Sequence, residues 1–395
     1  MNKKIHNNIN FLKLFLILII VYYHIIAGKL NIIYPNVDFF SYLSLKLKDT
    51  GLYTVFTFFI MSGYFLFNSI KKSRFNIKTF VFKKIISFFP ILFFSTLLCA
   101  ILPSLLNYSY KPQLQSMILN LFFIHQDIGF AKIGSWNGSS WFICCLFWVS
   151  IFYYSMAMCL KNKAKFLLIT GIICSIGLLL LINNPATHST LYYGLLPRQL
   201  TVGLSGIGMG ILLNALFNSK IEENVSNQKN KLLNYHCISL LELSCFLLLI
   251  LPMLFNSGEI KEPLLYHFNT CLLLALFINK QGWFAKLLES DLLGKISKVS
   301  FSIYLMQEVC FIILQATFWK TQYPTVHPVL AFVYSFIFCI FVGILTYKFV
   351  EKPVTELLTN KFLNKQNNTQ SKQMKISGGG GRTLSWLRFQ GFAVS

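Results

Sequence analysis

Apolar stretches of about twenty residues, parted by short polar connections, recur from Ile9 to Val350. A helix crossing roughly 30 Å of hydrocarbon needs about 20 residues. On that measure the pattern predicts ten membrane-spanning helices: 9–27, 51–70, 84–103, 141–160, 165–183, 197–217, 237–255, 264–279, 299–318 and 327–350. The apolar run 114–125 is too short to cross, and is expected to lie at the interface or to re-enter. The expected fold is therefore all-α, a polytopic integral membrane protein. Its transmembrane domain is placed over 1–360 and a polar, Gly-rich tail, disordered by composition, over 361–395.

Composition removes the main alternatives. Of the 395 residues 55% are hydrophobic and only 12% charged, about half the charge of a soluble domain, and the mean hydropathy is +0.59. A soluble enzyme and a disordered chain are both excluded. The net charge of +22 would ordinarily point to an anionic partner such as nucleic acid. Here the cations fall in alternate connections instead, as the positive-inside rule requires. Lys3 and Lys4, the group Lys71, Lys72, Arg74, Lys78, Lys83 and Lys84, then Lys161, Lys163 and Lys165 are all on one side, with Lys220, Lys229, Lys231, Lys280, Lys286, Lys295 and Lys298. Both termini are thus expected in the cytoplasm and the 104–140 connection outside. The expected partner is the lipid bilayer, with no nucleic acid.

The ten cysteines lie in apolar runs, except Cys237 at the edge of one, and none forms a spaced C-x-x-C pair. They read as packing residues, with neither metal nor disulfide expected. Lys3 and Lys4 ahead of an apolar run imitate a signal peptide, but no small-residue cleavage site follows. No internal repeat is visible, which weighs against an inverted-repeat transporter.

Ionisable groups inside spans are costly and call for a reason. Lys13 and His24 share the first span, eleven residues apart. At about 100° per residue they return to within ~20° of one face, ~16 Å apart along the axis. Either this stripe carries chemistry, or Lys13 snorkels to the headgroups and His24 bonds a neighbouring helix. Glu308 lies mid-span beside Gln307 and Tyr304, and either orients His24 or is paired structurally. Arg198 opens the sixth span from the outer side, one of only four arginines. Gly206-x-x-x-Gly210 reads as close helix packing. Tyr108, Tyr110, Trp136 and Trp141 are sugar platforms or an aromatic belt. His188, His236, His267 and His327 lie at span edges and read as interfacial.

The residues around the stripe carry a resemblance. Asn10-Phe11-Leu12-Lys13, with an apolar run ending Val21-Tyr22-Tyr23-His24, resembles the first helix of the membrane-bound acyltransferase-3 family, which places a basic residue before a histidine with ten residues between them. Phe58-Phe59-Ile60-Met61-Ser62-Gly63-Tyr64-Phe65-Leu66 is similar to its FF-x-x-SG-F/Y block. Phe82-Lys83-Lys84-Ile85-Ile86-Ser87-Phe88-Phe89-Pro90 is similar to its basic run closed by proline. Trp141-Phe142-Ile143, Ser300-Phe301-Ser302-Ile303-Tyr304-Leu305 and Val350-Glu351-Lys352-Pro353 follow in the family's order, so the blocks span 10–353. The chain departs from the pattern at Asn10 (often Asp), Lys13 (more often Arg), Ser87 (a second basic residue) and Gln307 (a histidine). The last departure leaves His24 as the clearest intramembrane proton acceptor.

The resemblance implies acyl transfer, usually of acetyl, from cytoplasmic acyl-CoA to a hydroxyl of a cell-surface glycan or its lipid-linked precursor, in the bacterial cytoplasmic membrane. It casts His24 as general base, with an acyl-histidine relay as the variant. Lys13, Lys83 and Lys84 are the expected CoA-binding cations, and Arg198, Tyr304 and Glu308 the expected acceptor-side residues. A polysaccharide or small-molecule flippase is the competing class; it would more often show Gly- or Pro-broken helices in matching halves.

Overall fold

The structure, a computed structural model, describes residues 7–26, 30, 50–71, 77–106, 114–125, 137–183, 192–193, 196–220, 231–255, 263–279, 282–319 and 327–362. Tyr108, Tyr110, Trp136, His188 and the tail from 363 onward lie outside the described residues.

The chain folds as successive helices: α1 (Asn7–Ile25), α2 (Thr50–Lys71), α3 (Ile77–Leu105), α4 (Leu114–Leu121), α5 (Trp141–Leu160), α6 (Lys163–Asn183), α7 (Arg198–Lys220) and α8 (Lys231–Phe255). Then come α9 (Pro263–Asn279), α10 (Trp283–Leu287), α11 (Asp291–Ile296), α12 (Ser300–Leu314) and α13 (Pro328–Thr346). A π-turn at Tyr347–Glu351 leads from α13 into a further helix over 352–362. Among the described residues the strand content is one antiparallel pair, Tyr192–Tyr193 with Leu196–Pro197.

Eight helices among the described residues are long and apolar enough to cross a bilayer, and α8 and α9 contain shorter apolar stretches, Tyr235–Leu251 and Leu265–Asn279. The eight overlap eight of the ten predicted spans, and the two shorter stretches fall on the predicted 237–255 and 264–279. The protein is an all-α polytopic membrane protein. The segment 114–125 forms only the eight-residue α4, too short to span.

Some boundaries differ from those the pattern predicts. α3 begins at Ile77, ahead of the predicted 84, so Lys78, Lys83 and Lys84 ride on a helix. Extending a helix past the hydrocarbon keeps its backbone amides bonded while the long side chains reach polar surroundings. Pro90 and Pro103 are accommodated within it.

Burial separates centre from rim. Residues of α2 are 83% buried within its span window, whereas those of α6 are 22% buried. On α6 Leu168, Ile172, Ile176 and Leu179 form an exposed apolar stripe at helical spacing, the side offered to lipid. α2 and α7 meet backbone to backbone. A Cβ on Gly63 would overlap the Ile207 carbonyl, one on Gly210 the Ile60 carbonyl, and one on Gly206 the Phe59 side chain. The small-residue packing read from Gly206-x-x-x-Gly210 is thus present.

Polar bonds tie the helix ends together. At one end Lys71 Nζ donates to Asn214 Oδ1 at 2.9 Å, and Asn214 Nδ2 donates to the Tyr64 carbonyl at 2.8 Å. There also Asn7 Nδ2 donates to the Glu289 carbonyl and to Asp291 Oδ1, each at 3.3 Å. Asn8 Nδ2 donates to the Phe277 carbonyl at 2.6 Å. Buried Glu242 of α8 accepts from the Gly282 and Ala285 amides at 3.1 and 2.9 Å, satisfying the free N–H groups that begin α10. The start of α1 is therefore lashed to a strap, α10–α11, that α8 holds in place.

Candidate active site

Lys13 and Lys84 come together at the end of the bundle where α1 and α3 begin. Lys84 is the like-charge neighbour of Lys13. The Lys13 ammonium lies over the Phe65 ring at 5.1 Å, and that of Lys84 lies 5.8 and 5.2 Å from the Phe80 and Phe88 ring centres. Aromatic faces attract each cation but do not relieve the repulsion between them. Such a pair is an anion site by charge. Lys83, partly buried, immediately precedes Lys84 on α3.

α12 packs against both α1 and α3, and the three run in one direction. The start of α1 lies against Asp291, just before α12. The Phe88 ring of α3 meets Phe301 at 5.7 Å, and farther along Ser95 and Leu305 share one partner, Asn137. Eleven residues beyond Lys13 on α1 stands His24; eleven beyond Lys84 on α3 stands Ser95. At 1.5 Å per residue each lies ~16 Å along its own helix from its lysine. His24 is partly buried, its ring 5.0 Å from that of Tyr23.

Around Ser95 the structure assembles a buried polar cluster. The turn Asn137–Ser140 enters α5 through a short 3-10 helix, Gly138–Ser140. Asn137 Nδ2 donates to Ser95 Oγ at 3.0 Å and to the Leu305 carbonyl at 3.1 Å. Tyr304 donates its hydroxyl to the Ser139 carbonyl at 2.8 Å, and Gln307 Nε2 donates to Ser139 Oγ at 2.6 Å. Ser140 Oγ lies 3.0 Å from Asn120 Oδ1. Glu308 borders the turn, its Oε1 within 3.5 Å of where a Gly138 Cβ would stand. His125 is fully buried and bonds the Asn137 backbone. Burial pushes its imidazole down to about 4, so it is neutral near pH 7.

Of the residues singled out in the sequence, the structure thus joins Lys13 with Lys84, and Tyr304 with Gln307 and Glu308 at one turn. Arg198 stands apart, heading α7, which packs chiefly on α2 and α6; it is 8% exposed and its Nε has no hydrogen-bond partner. Ser302 and Glu351, from two of the family-like blocks, hydrogen-bond each other. Of the histidines expected at the interface, His236 and His327 are exposed, whereas His267 is buried within the bundle. It is 5% exposed and stacked on Phe56 at 3.8 Å, because α9 packs against α2. An apolar groove of about 560 Å3 between α5, α6 and α7, lined by residues such as Trp148, Phe152, Ile176 and Leu204, offers hydrocarbon contact only.

Asn120, Asn137, Ser139 and Ser95 escaped the sequence reading. Only the polar run Asn137-Gly138-Ser139-Ser140 set directly against Trp141-Phe142 hinted at them.

Comparison with curated proteins and with solved structures returns no match. A family model described as an acyltransferase domain matches residues 6–348, spanning α1, the cation pair, the polar turn and the whole of α13. With most of its length so matched, the chain belongs to the membrane-bound acyltransferase-3 family.

Proposed function

We propose that this membrane acyltransferase takes its acyl group, acetyl in the first instance, from cytoplasmic acyl-CoA and delivers it to a hydroxyl of a cell-surface polysaccharide or its lipid-linked precursor. The membrane is then the bacterial cytoplasmic membrane, with the Lys13–Lys84 end facing the cytoplasm. The observation that carries the reading is that pair of neighbouring cations, ~16 Å along one helix from the His24 imidazole. Two ammonium groups held together among aromatic rings want a polyanion, and CoA presents phosphates. Lys83 adds a third positive charge on the same helix.

The chemistry follows from the residues. The acceptor oxygen adds to the thioester carbonyl while its proton passes to His24. The C–S bond then breaks, and the CoA thiol leaves with the proton returned from the imidazole. Neutral imidazole suits this role near pH 7. Arg198, Tyr304 and Glu308 belong to the acceptor side in this reading: Tyr304 positions the Ser139 turn, Glu308 lines its edge, and Arg198 supplies a cation at the head of α7.

The test is purified protein with labelled acetyl-CoA. Acceptor-dependent release of CoA, with label moving to the acceptor, is the expected result. His24→Ala should insert normally and lower kcat by roughly 10²-fold or more, the usual worth of a positioned base. Movement of a glycan across the membrane without thioester cleavage would replace the acyltransferase reading by a flippase.

A further inference from the structure

We propose that the buried amide cluster at the Asn137–Ser140 turn is the acceptor's hydroxyl subsite, built to hold two neighbouring hydroxyls of a carbohydrate. The proposal rests on the acyl-transfer reading above and names what the acceptor must present.

The argument is a count of donors and acceptors. Both hydrogens of Asn137 Nδ2 are engaged, one by Ser95 and one by the Leu305 carbonyl. A carbonyl only accepts, so the orientation of this amide is fixed. Its Oδ1 is left with no hydrogen-bond partner, in a residue that is 0% exposed. Gln307 donates through Nε2 to Ser139, and its Oε1 is likewise unpartnered in a fully buried residue. Asn120 Nδ2 is the third such atom. Ser140 Oγ lies within bonding distance of both Asn120 Oδ1 and, at 2.7 Å, the Asn137 carbonyl, but it has one hydrogen. Whichever oxygen receives it, one polar end of Asn120 stays open.

Buried amides are almost always fully bonded. Three open ends, on residues that belong to one turn or bond it, mark a place for a ligand with hydrogens to give. A thioester carbonyl or a phosphate brings lone pairs alone and leaves Asn137 Oδ1 and Gln307 Oε1 unmet. An ammonium has donors alone and leaves the Asn120 amide hydrogens unmet. A hydroxyl both donates and accepts, and two adjacent ones satisfy both oxygens while still accepting from Asn120. Position agrees with chemistry. Tyr304 and Gln307 of the cluster are on α12, which packs against α1, the helix of His24, and a base must stand within hydrogen-bond reach of the hydroxyl it deprotonates.

The experiment uses the full chain in detergent, acetyl-CoA, and a panel of methyl hexopyranosides with their monodeoxy analogues. The parent protein should favour one vicinal diol over its monodeoxy analogue by about tenfold or more in kcat/KM, since a site built around a hydroxyl rejects its absence. Gln307→Met and Asn120→Leu, on separate helices, should each lower kcat/KM for that diol about tenfold and abolish the deoxy discrimination. The KM for acetyl-CoA should not move. Gln307→Glu, which keeps an accepting oxygen, should recover much of the discrimination. Undiminished discrimination in both the Met and Leu variants would mean that the cluster holds water only, and overturns the subsite. So does a parent protein that acylates sugars without regard to a neighbouring hydroxyl. A parent protein that releases no CoA with any acceptor sinks the acyl-transfer reading itself, and the subsite with it.

Discussion

Lys13 and Lys84 are like-charged neighbours, each held over phenylalanine rings, Lys13 at Phe65 and Lys84 at Phe80 and Phe88, where a lysine pair in water would separate. If Lys13 merely snorkels, Lys13→Gln should leave catalysis untouched, since a polar side chain near the interface costs little. If it neutralises donor phosphates, the same change should raise the KM for acyl-CoA several-fold or more, with a smaller effect on acceptor KM. Lys13→Arg keeps the charge and should stay close to the parent protein. Steady-state kinetics on the three proteins decides the matter; equal donor KM for the parent and Lys13→Gln assigns Lys13 to structure alone. At this scale the sequence was readable where partners share one helix. That Lys13 and His24 stand on one helix, α1, needed only the apolar run around them. The Lys13–Lys84 pairing depends on how α1 and α3 sit about α12, and no local pattern encodes that. The same holds for Asn137, whose partners Ser95 and Leu305 are 42 and 168 residues away.

Among elements, the contact of α2 with α7 is the most exacting, because backbone touches backbone. Gly63→Leu or Gly210→Leu should cause loss of the folded protein, seen as aggregation or a large drop in thermal stability in detergent. Gly171→Leu is the control. Nothing lies within 4 Å of a Cβ built there, and α6 is at the rim, so it should be tolerated. A fluorescence-detected melting series checks all three. The apolar runs located all eight helices that are long and apolar enough to cross among the described residues, and Gly206-x-x-x-Gly210 disclosed the tight face of α7. Gly63, its counterpart on α2, was visible only as part of a family-like block. The strap of α10 and α11 was not foreseen at all. Its helices have five and six residues, too few to show a period, and the residue that holds α10, Glu242, sits inside a run that otherwise reads as lipid-facing.

For the whole molecule, the alternation of basic connections makes a prediction that side-chain geometry alone does not. Reporter fusions at residues 75 and 229 should be active only in the cytoplasm, and those at 125 and 259 only outside. A reporter exported at 75 would invert the orientation and place the Lys13–Lys84 pair on the wrong side for CoA. The contacts already group the ends consistently: Lys71 with Asn214, and Asn7 with Asp291, lie at one end, while the Trp148 indole donates to the Phe123 carbonyl near the other.

The lashing of α1 by Asn7 and Asn8 has a kinematic consequence. A helix tied at its first turn to Phe277, Glu289 and Asp291 cannot work as a piston, sliding its imidazole down to meet a cargo that arrives below. The ~16 Å between Lys13 and His24 then acts as a fixed ruler, and whatever carries the acyl group must cover that distance with its own arm. Carriers would be sorted by reach before any chemistry begins: an acyl group borne directly on a phosphate would dock its charge correctly and still stop short of the base.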